Sequence, residues 1–307
     1  MRKAISILFI FLSIAVGATF LYSAYTKLYP IQRFEYTMVE FAHMPWQLAA
    51  LAARFLIGLE AGLGALILLH FFGRAKWVLK AAAGLLILFS IYLIYLWVAR
   101  GNDINCGCFG DAIWMSPSAS LLKNIILLVV IFVLIKYHQG WRFRGSAWVS
   151  YLLMLAAIIL PFILFAIPNN QPDWLKNGAY RLDMTDLYAP GKQDAPAVDL
   201  TKGKHIIAFF SAVCPHCQMA AYKLHLMKQK DPSLPVFMVI GGDRKLDDWW
   251  KKTESQNIPY TRLARDQFIH IVGYSWPAIF LVNNDTVEAK SSYITLDQQV
   301  LEAWLKK

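Results

Sequence analysis

Five long apolar runs, each bounded by charged or polar residues, dominate the first 167 positions. The first covers residues 4–26 without a charge, directly behind Arg2-Lys3. The others cover residues 46–72, 77–99, 120–137 and 147–167. About 20 apolar residues in a helix cross the hydrocarbon core of a bilayer, so each run predicts a transmembrane helix. The first also has signal-peptide features: a basic start, an apolar middle and small residues near Ala15 to Ala18. Its apolar run continues past that point and more spans follow, so it reads as an uncleaved helix.

The pattern changes after residue 167. Pro168-Asn169-Asn170-Gln171-Pro172 is a polar exit from the membrane. Strand-like runs follow at 204–210, 236–240, 278–282 and 286–290. Helical spacing occupies 217–228, 245–253, 266–272 and 296–305. Asn283-Asn284-Asp285 predicts a hairpin turn between the last two strands. The expected order is β-α-β-α-α-β-β-α. The fold class is therefore an α-helical membrane bundle of four helices plus a fifth span, followed by an α/β domain. Expected boundaries are 1–140 for the four-span domain, 141–168 for the fifth helix, 169–180 for a linker and 181–307 for the α/β domain.

Composition agrees with this division. Hydrophobic residues make up 57% of the 307 positions and charged ones 16%, which is too apolar for an ordinary soluble chain. The net charge is +10, and most of it lies in the apolar half: residues 1–170 hold 13 Lys and Arg against 5 Asp and Glu. Arg2, Lys3, Arg74, Lys76, Lys80, Lys136, Arg142 and Arg144 fall on one side of the predicted spans with no acidic residue among them. Lys27, Arg33, Arg100 and Lys123 mix with Glu35, Glu40, Asp103 and Asp111 on the other. By the positive-inside rule the first side is cytoplasmic. The expected location is the bacterial inner membrane, with the α/β domain on the periplasmic side. The basic excess reports orientation, and no nucleic-acid partner is expected.

The four cysteines form two close pairs, Cys106/Cys108 and Cys214/Cys217. Cys214-Pro215-His216-Cys217 stands between an apolar strand and a helix. A helix N-terminus offers unpaired N–H groups and a positive dipole end, which favour a thiolate at the first cysteine. Cys214 is the expected nucleophile, Cys217 the resolving thiol and His216 a further positive charge when protonated. A structural disulfide or half a zinc site is the alternative. Pro277, directly before an apolar strand, is expected as a cis-proline facing the pair. These features resemble the thioredoxin superfamily, of the DsbA/TlpA type, over about 100 residues. The resemblance implies a redox-active pair and no direction. Val213 replaces the Trp common before the first cysteine, and bulky Trp276 precedes Pro277.

Cys106-Gly107-Cys108 lies in the outer loop after the third span. A disulfide across one residue closes a tiny ring, so it stabilises little and reduces easily. Redox activity is the leading reading, with metal binding or plain thiols as alternatives; no tightly bound metal is expected. The runs Phe20-Leu21-Tyr22-Ser23-Ala24-Tyr25-Thr26-Lys27-Leu28-Tyr29-Pro30 and Cys106-Gly107-Cys108-Phe109-Gly110, with Glu60, resemble the methylamine-utilisation protein E family, related to DoxX-like membrane proteins. That resemblance covers roughly residues 1–140. It implies a four-helix bundle that assists disulfide formation or maturation of periplasmic proteins, and quinone-linked chemistry.

Arg54 and Glu60 sit inside the second span, where ionisable groups are costly. Six residues give about 240° of rotation, so the two do not share a face. They mark either the edge of a quinone pocket or proton path, or interhelical ion pairs. Gly58 and Gly62 predict close helix packing. His270 reads as a surface or core histidine, and His43 as a residue with a possible approach to the Cys-Gly-Cys loop. The leading functional expectation is a membrane thiol-disulfide oxidoreductase. It would oxidise periplasmic cysteine-containing proteins at Cys214/Cys217 and pass electrons through Cys106/Cys108 to a membrane quinone. The alternatives are a periplasmic reductase or isomerase, and a tethered metal-binding module.

Overall fold

The computed structural model describes residues 2–73, 76–140, 146–167, 171–175 and 178–307; of residues 2–5 and 111 only the backbone is described. Arg74, Arg142, Arg144 and the Pro168-Asn169-Asn170 exit lie outside the described residues. The chain divides into two compact units, Met1–Ile167 and Pro168–Lys307.

The first unit is helical. Its spans are α1 (Arg2–Leu28), α3 (Trp46–Leu68), α4 (Trp77–Arg100), α5 (Pro117–Tyr137) and α6 (Ser146–Leu164). All five are long and apolar enough to cross a membrane. Small residues let α3 approach two neighbours. A Cβ on Gly64 would lie 2.9 Å from the Gly17 carbonyl oxygen of α1. One on Gly58 would lie 2.7 Å from the Ala157 oxygen of α6, and one on Gly62 would lie 2.7 Å from Met154 Sδ. The expected Gly58/Gly62 packing face is thus the α3–α6 seam.

A helix that the apolar pattern does not announce, α2 (Ile31–Phe41), follows α1. Arg33, Glu35 and Glu40 interrupt its apolar pattern, yet it buries Ile31, Phe34, Tyr36 and Met38 on one face. The ends of α1 and α6 meet where the Tyr29 and Phe165 rings stand 5.4 Å apart. The α4–α5 loop, with its short strand β1 (Cys108–Asp111), lies at this same end of the bundle, against Thr26 of α1.

In the second unit, β4 (Lys204–Ser211), β5 (Val236–Gly241), β6 (Tyr260–Leu263), β7 (Ala278–Asn283) and β8 (Thr286–Ser291) form the main sheet. Among the described residues the order is β8-β7-β4-β5-β6. The pairs β4–β5 and β5–β6 are parallel; β4–β7 and β7–β8 are antiparallel. Helices α7 (Pro215–Lys230), α8 (Asp247–Thr253), α9 (Arg265–Val272) and α10 (Gln298–Leu305) complete the unit. β4 is central and apolar on both faces. Ile207 and Phe209 join one core with Phe237, Val239 and Phe280, while Phe210 meets Trp249 of α8 on the other face. This is a thioredoxin-like arrangement.

Two expectations need correction. The order lacked β6, whose Tyr260-Thr261-Arg262-Leu263 is short and half polar; it is an edge strand that buries Thr261 and Leu263. The stretch expected as a linker also contributes to the sheet. β2 (Asp173–Trp174) and β3 (Tyr180–Arg181) both pair with β8. Two-residue strands show no alternation, so periodicity could not reveal them.

Candidate functional site

The first thiol pair stands where β4 turns into α7. Cys214 caps the helix, with Pro215 at its first position, where a missing N–H costs nothing. The Cys217 N–H donates to Cys214 Sγ at 3.2 Å, so a sulfur here already receives a helix-terminal donor. Cys214 is half-buried, whereas Cys217 is fully buried. Burial, together with the Cys214 sulfur beside it, pushes the Cys217 thiol well above the usual range. One sulfur is therefore available for attack and the other is held back in the protonated form.

The other expected parts lie around this pair. The peptide between Trp276 and Pro277 is cis. Pro277 immediately precedes Ala278, which pairs with Phe209 near the C-terminal end of β4, so it lies at the same sheet end as Cys214. Trp276 packs edge-on against Phe268, with ring centroids 5.9 Å apart. His216 is exposed and stacks on Tyr293 at 5.4 Å. Tyr293 carries no sequence signal of its own. Burial and the neighbouring Cys214 both raise its phenol, and its carbonyl oxygen accepts from Lys223 Nζ at 3.0 Å. His270 is exposed on α9, away from any assigned role.

The second pair is built by the α4–α5 loop. Cys106 is buried against Leu93 and Leu96, and its sulfur lies 2.9 Å from Ser120 Oγ. Gly107 and Gly110 both adopt left-handed φ values, +69° and +55°. A Cβ on Gly110 would stand 2.5 Å from the Thr26 carbonyl oxygen. Phe109 is buried between the Tyr22 ring, at 5.7 Å, and the Lys123 ammonium, 4.6 Å from its centroid. The Asn105 amide braces the loop by donating to the Gly110 oxygen and accepting from Gly107 N–H. Each residue of the Cys-Gly-Cys-Phe-Gly run thus has a local structural role.

Cys108 faces a polar pocket between α1, α3, α4 and α5. Its carbonyl oxygen is 3.0 Å from Ser23 Oγ, which also reaches Glu60 Oε2 at 3.1 Å. Lys27 Nζ donates to both Glu60 carboxylate oxygens, at 2.6 and 2.8 Å, and to Ser23 Oγ at 3.0 Å. Lys27 and Glu60 are both buried. Ser23, Lys27, Glu60, Cys108, Lys123 and Asn124 line a cavity of about 30 Å³ together with apolar walls that include Phe89 and Leu127. The Cys106 thiol beside it lowers the Cys108 thiol to about 6; Lys123 and Lys27 act in the same direction, against burial. The Cys106 thiol moves the opposite way, raised first by its bond to Cys108 and then by burial.

The structure separates the two intramembrane charges. Glu60 joins the Cys108 site. Arg54 does not: it pairs with Glu35 of α2 at 2.6 Å and donates through Nε to the Phe165 oxygen at the end of α6, also at 2.6 Å. Both are ion-paired, on different faces as their spacing requires. Lys27, counted from the sequence among the charges of the outer loops and helix ends, is the buried partner of Glu60. Its i, i+4 spacing from Ser23 was the available signal. His43 is exposed in the turn between α2 and α3.

Residues 5–137 match the family described as methylamine utilisation protein MauE. The chain is 28% identical to Protein TlpB of Flavobacterium psychrophilum, across 85% of this chain and 84% of that one. A secreted disulfide oxidoreductase of Mycobacterium tuberculosis, homologous to E. coli DsbE, shares 15% identity with it. That likeness covers 34% of this chain and 81% of the other, with a TM-score of 0.28. The thioredoxin domain of a thiol-disulfide oxidoreductase from Bacteroides vulgatus shares 17% identity over 38% of this chain and 88% of its own, with a TM-score of 0.30. The chain is a multi-span membrane protein of the thiol-disulfide oxidoreductase class.

Proposed function

We propose that the protein oxidises thiols of periplasmic proteins and delivers the electrons to a membrane quinone. A substrate dithiol reduces the Cys214–Cys217 disulfide and leaves as a disulfide. Exchange with the Cys106–Cys108 disulfide restores the first pair and reduces the second. Oxidation of the second pair then forms the Cys106–Cys108 bond, and its two electrons and two protons convert quinone to quinol. Every step exchanges one disulfide or one two-electron acceptor, so atoms and electrons balance.

The observation that carries this reading is the pairing of a half-buried and a fully buried cysteine at both sites. At each, one thiol is available and its partner is held protonated, as stepwise exchange requires. The second site also stands at the end of the bundle where α6 terminates. Together with the loop charges, that position supports a location of both pairs outside the cytoplasm. Quinone is supported by chemistry: Lys123 lines the Cys108 pocket as a donor for its oxygens, and Phe89 and Leu127 offer apolar walls. The cavity, about 30 Å³ and partly open, has room for one water and not for a quinone ring.

Purified protein with a reduced dithiol peptide and a soluble quinone tests the proposal. Quinol should accumulate in step with peptide disulfide. Cys108→Ala should abolish quinol formation while Cys214/Cys217 still exchange with the peptide. Peptide oxidation without quinone consumption contradicts the quinone step. Continued quinone turnover in Cys108→Ala contradicts the relay.

A further inference from the structure

Lys27 is an unusual residue to find in this place. Its ammonium is buried at the end of a transmembrane helix, ion-paired to a carboxylate from a second helix and touching a hydroxyl that bonds the loop carrying Cys108. A buried ion pair seldom adds stability beyond what apolar residues of the same volume would give. Packing alone does not account for the convergence of Lys27, Glu60 and Ser23 on one side of a cysteine.

We propose that Lys27, held in position by Glu60 and Ser23, is a cation that, with Lys123, keeps Cys108 as the reactive thiolate of the Cys106/Cys108 pair. Three observations support this. Lys27, Glu60 and Cys108 line one cavity, and Ser23 Oγ bridges the Lys27 ammonium to the Cys108 carbonyl oxygen. The Lys27 ammonium also lies 5.2 Å from the Phe34 ring centroid and 5.3 Å from that of Phe89, which fixes it in an apolar wall of low dielectric. Both cysteines pack on the Leu93/Leu96 cluster, but Cys108 lines the cavity and Cys106 does not, so the arrangement favours one sulfur over the other.

The charged and titratable groups around Cys108 come from four helices and its own loop: Lys27 on α1, Glu60 on α3, Tyr92 on α4, Lys123 on α5, and Cys106. Glu60 is a positioning residue in this scheme. Its carboxylate anchors the ammonium and partly neutralises it, so it works against the thiolate through charge while aiming the lysine. The proton lost from Cys108 passes to solvent, and the thiolate that remains is balanced by Lys27 and Lys123. The inference rests on the reading that Cys106/Cys108 is a working redox pair.

The test is alkylation of the reduced, full-length protein in detergent with iodoacetamide from pH 5 to 10, with the Cys108 peptide resolved by mass spectrometry. Lys27→Met should raise the Cys108 midpoint by about one pH unit, a tenfold loss of labelling below it. Glu60→Gln should move the midpoint the other way, because it removes a negative charge while the Gln amide oxygen and Ser23 Oγ still accept from the lysine. Cys214 labelling should not change in either variant. Movement of both variants in the same direction, or of neither, overturns the proposal. Should Lys27→Met fail to fold, Lys27→Met/Glu60→Gln removes both charges. Its midpoint should lie above that of Glu60→Gln, and coincidence of the two overturns the proposal. Alkylation reads Cys108 acidity whether or not the enzyme turns over. Opposite shifts without quinone consumption would therefore leave this inference standing and sink the functional reading alone.

Discussion

Among single residues, the two pairs share a division of labour. Cys217 and Cys106 are the buried sulfurs with raised pKa values, while Cys214 is half-buried and the pKa of Cys108 is lowered to about 6. A thiolate forms above the pKa of its thiol, so Cys108 should become reactive as pH rises through about 6 and lose reactivity below it. Brief labelling of the reduced protein at neutral pH should modify Cys108 and Cys214 and spare Cys106 and Cys217. Equal labelling of Cys106 and Cys108 would contradict the asymmetry. Gly110→Ala should lower thermal stability by roughly 1–2 kcal/mol or more, because a Cβ meets both a left-handed φ and the Thr26 oxygen. Unfolding in detergent measures it, and an unchanged melting temperature would refute the close approach. The cysteines were legible from spacing alone. Lys27 was not, since a lysine closing an apolar run looks the same whether it reaches the interface or turns inward to the Glu60 carboxylate of another helix.

Among the elements, Arg54 ties three helices together. From α3 it pairs with Glu35 on α2 and donates to the oxygens of Phe165 and Ala166 just past α6. Removing one partner of a buried pair leaves an uncompensated charge, typically at a cost of about 3–5 kcal/mol. Arg54→Leu should therefore lower the unfolding temperature markedly. Arg54→Leu/Glu35→Gln should recover part of the loss, and a double variant no better than the single would show that Glu35 is not the partner that matters. The five spans were legible because an uncharged apolar run of about 20 residues rarely occurs outside a membrane helix. The thioredoxin-like core was legible from β4, β7 and β8, whose runs are continuous. α2 and β6 were hidden for a common reason: each buries one face only, and polar residues on the other face dilute the pattern. β2 and β3 owe their state to the free edge of β8, a feature supplied by another part of the chain.

In the molecule as a whole, a Cys-Pro-His-Cys pair on an α/β unit shares one chain with a second thiol pair braced in a membrane bundle. A separate membrane oxidant and a separate soluble oxidase would need to meet by diffusion. Covalent linkage raises the effective concentration of one pair near the other, by an amount the linker sets. The proposed relay requires that electrons entering at Cys214/Cys217 reach Cys106/Cys108. A single-turnover experiment reads this step alone. It starts from fully oxidised protein, without acceptor and without oxygen, and adds one equivalent of a reduced dithiol peptide. Thiol mapping by mass spectrometry then shows where the two electrons rest. Free thiols should appear at Cys106 and Cys108 with Cys214–Cys217 reoxidised, and no such transfer should occur in Cys217→Ser. Electrons that stay on Cys214 and Cys217, with the Cys106–Cys108 disulfide intact, would contradict the relay.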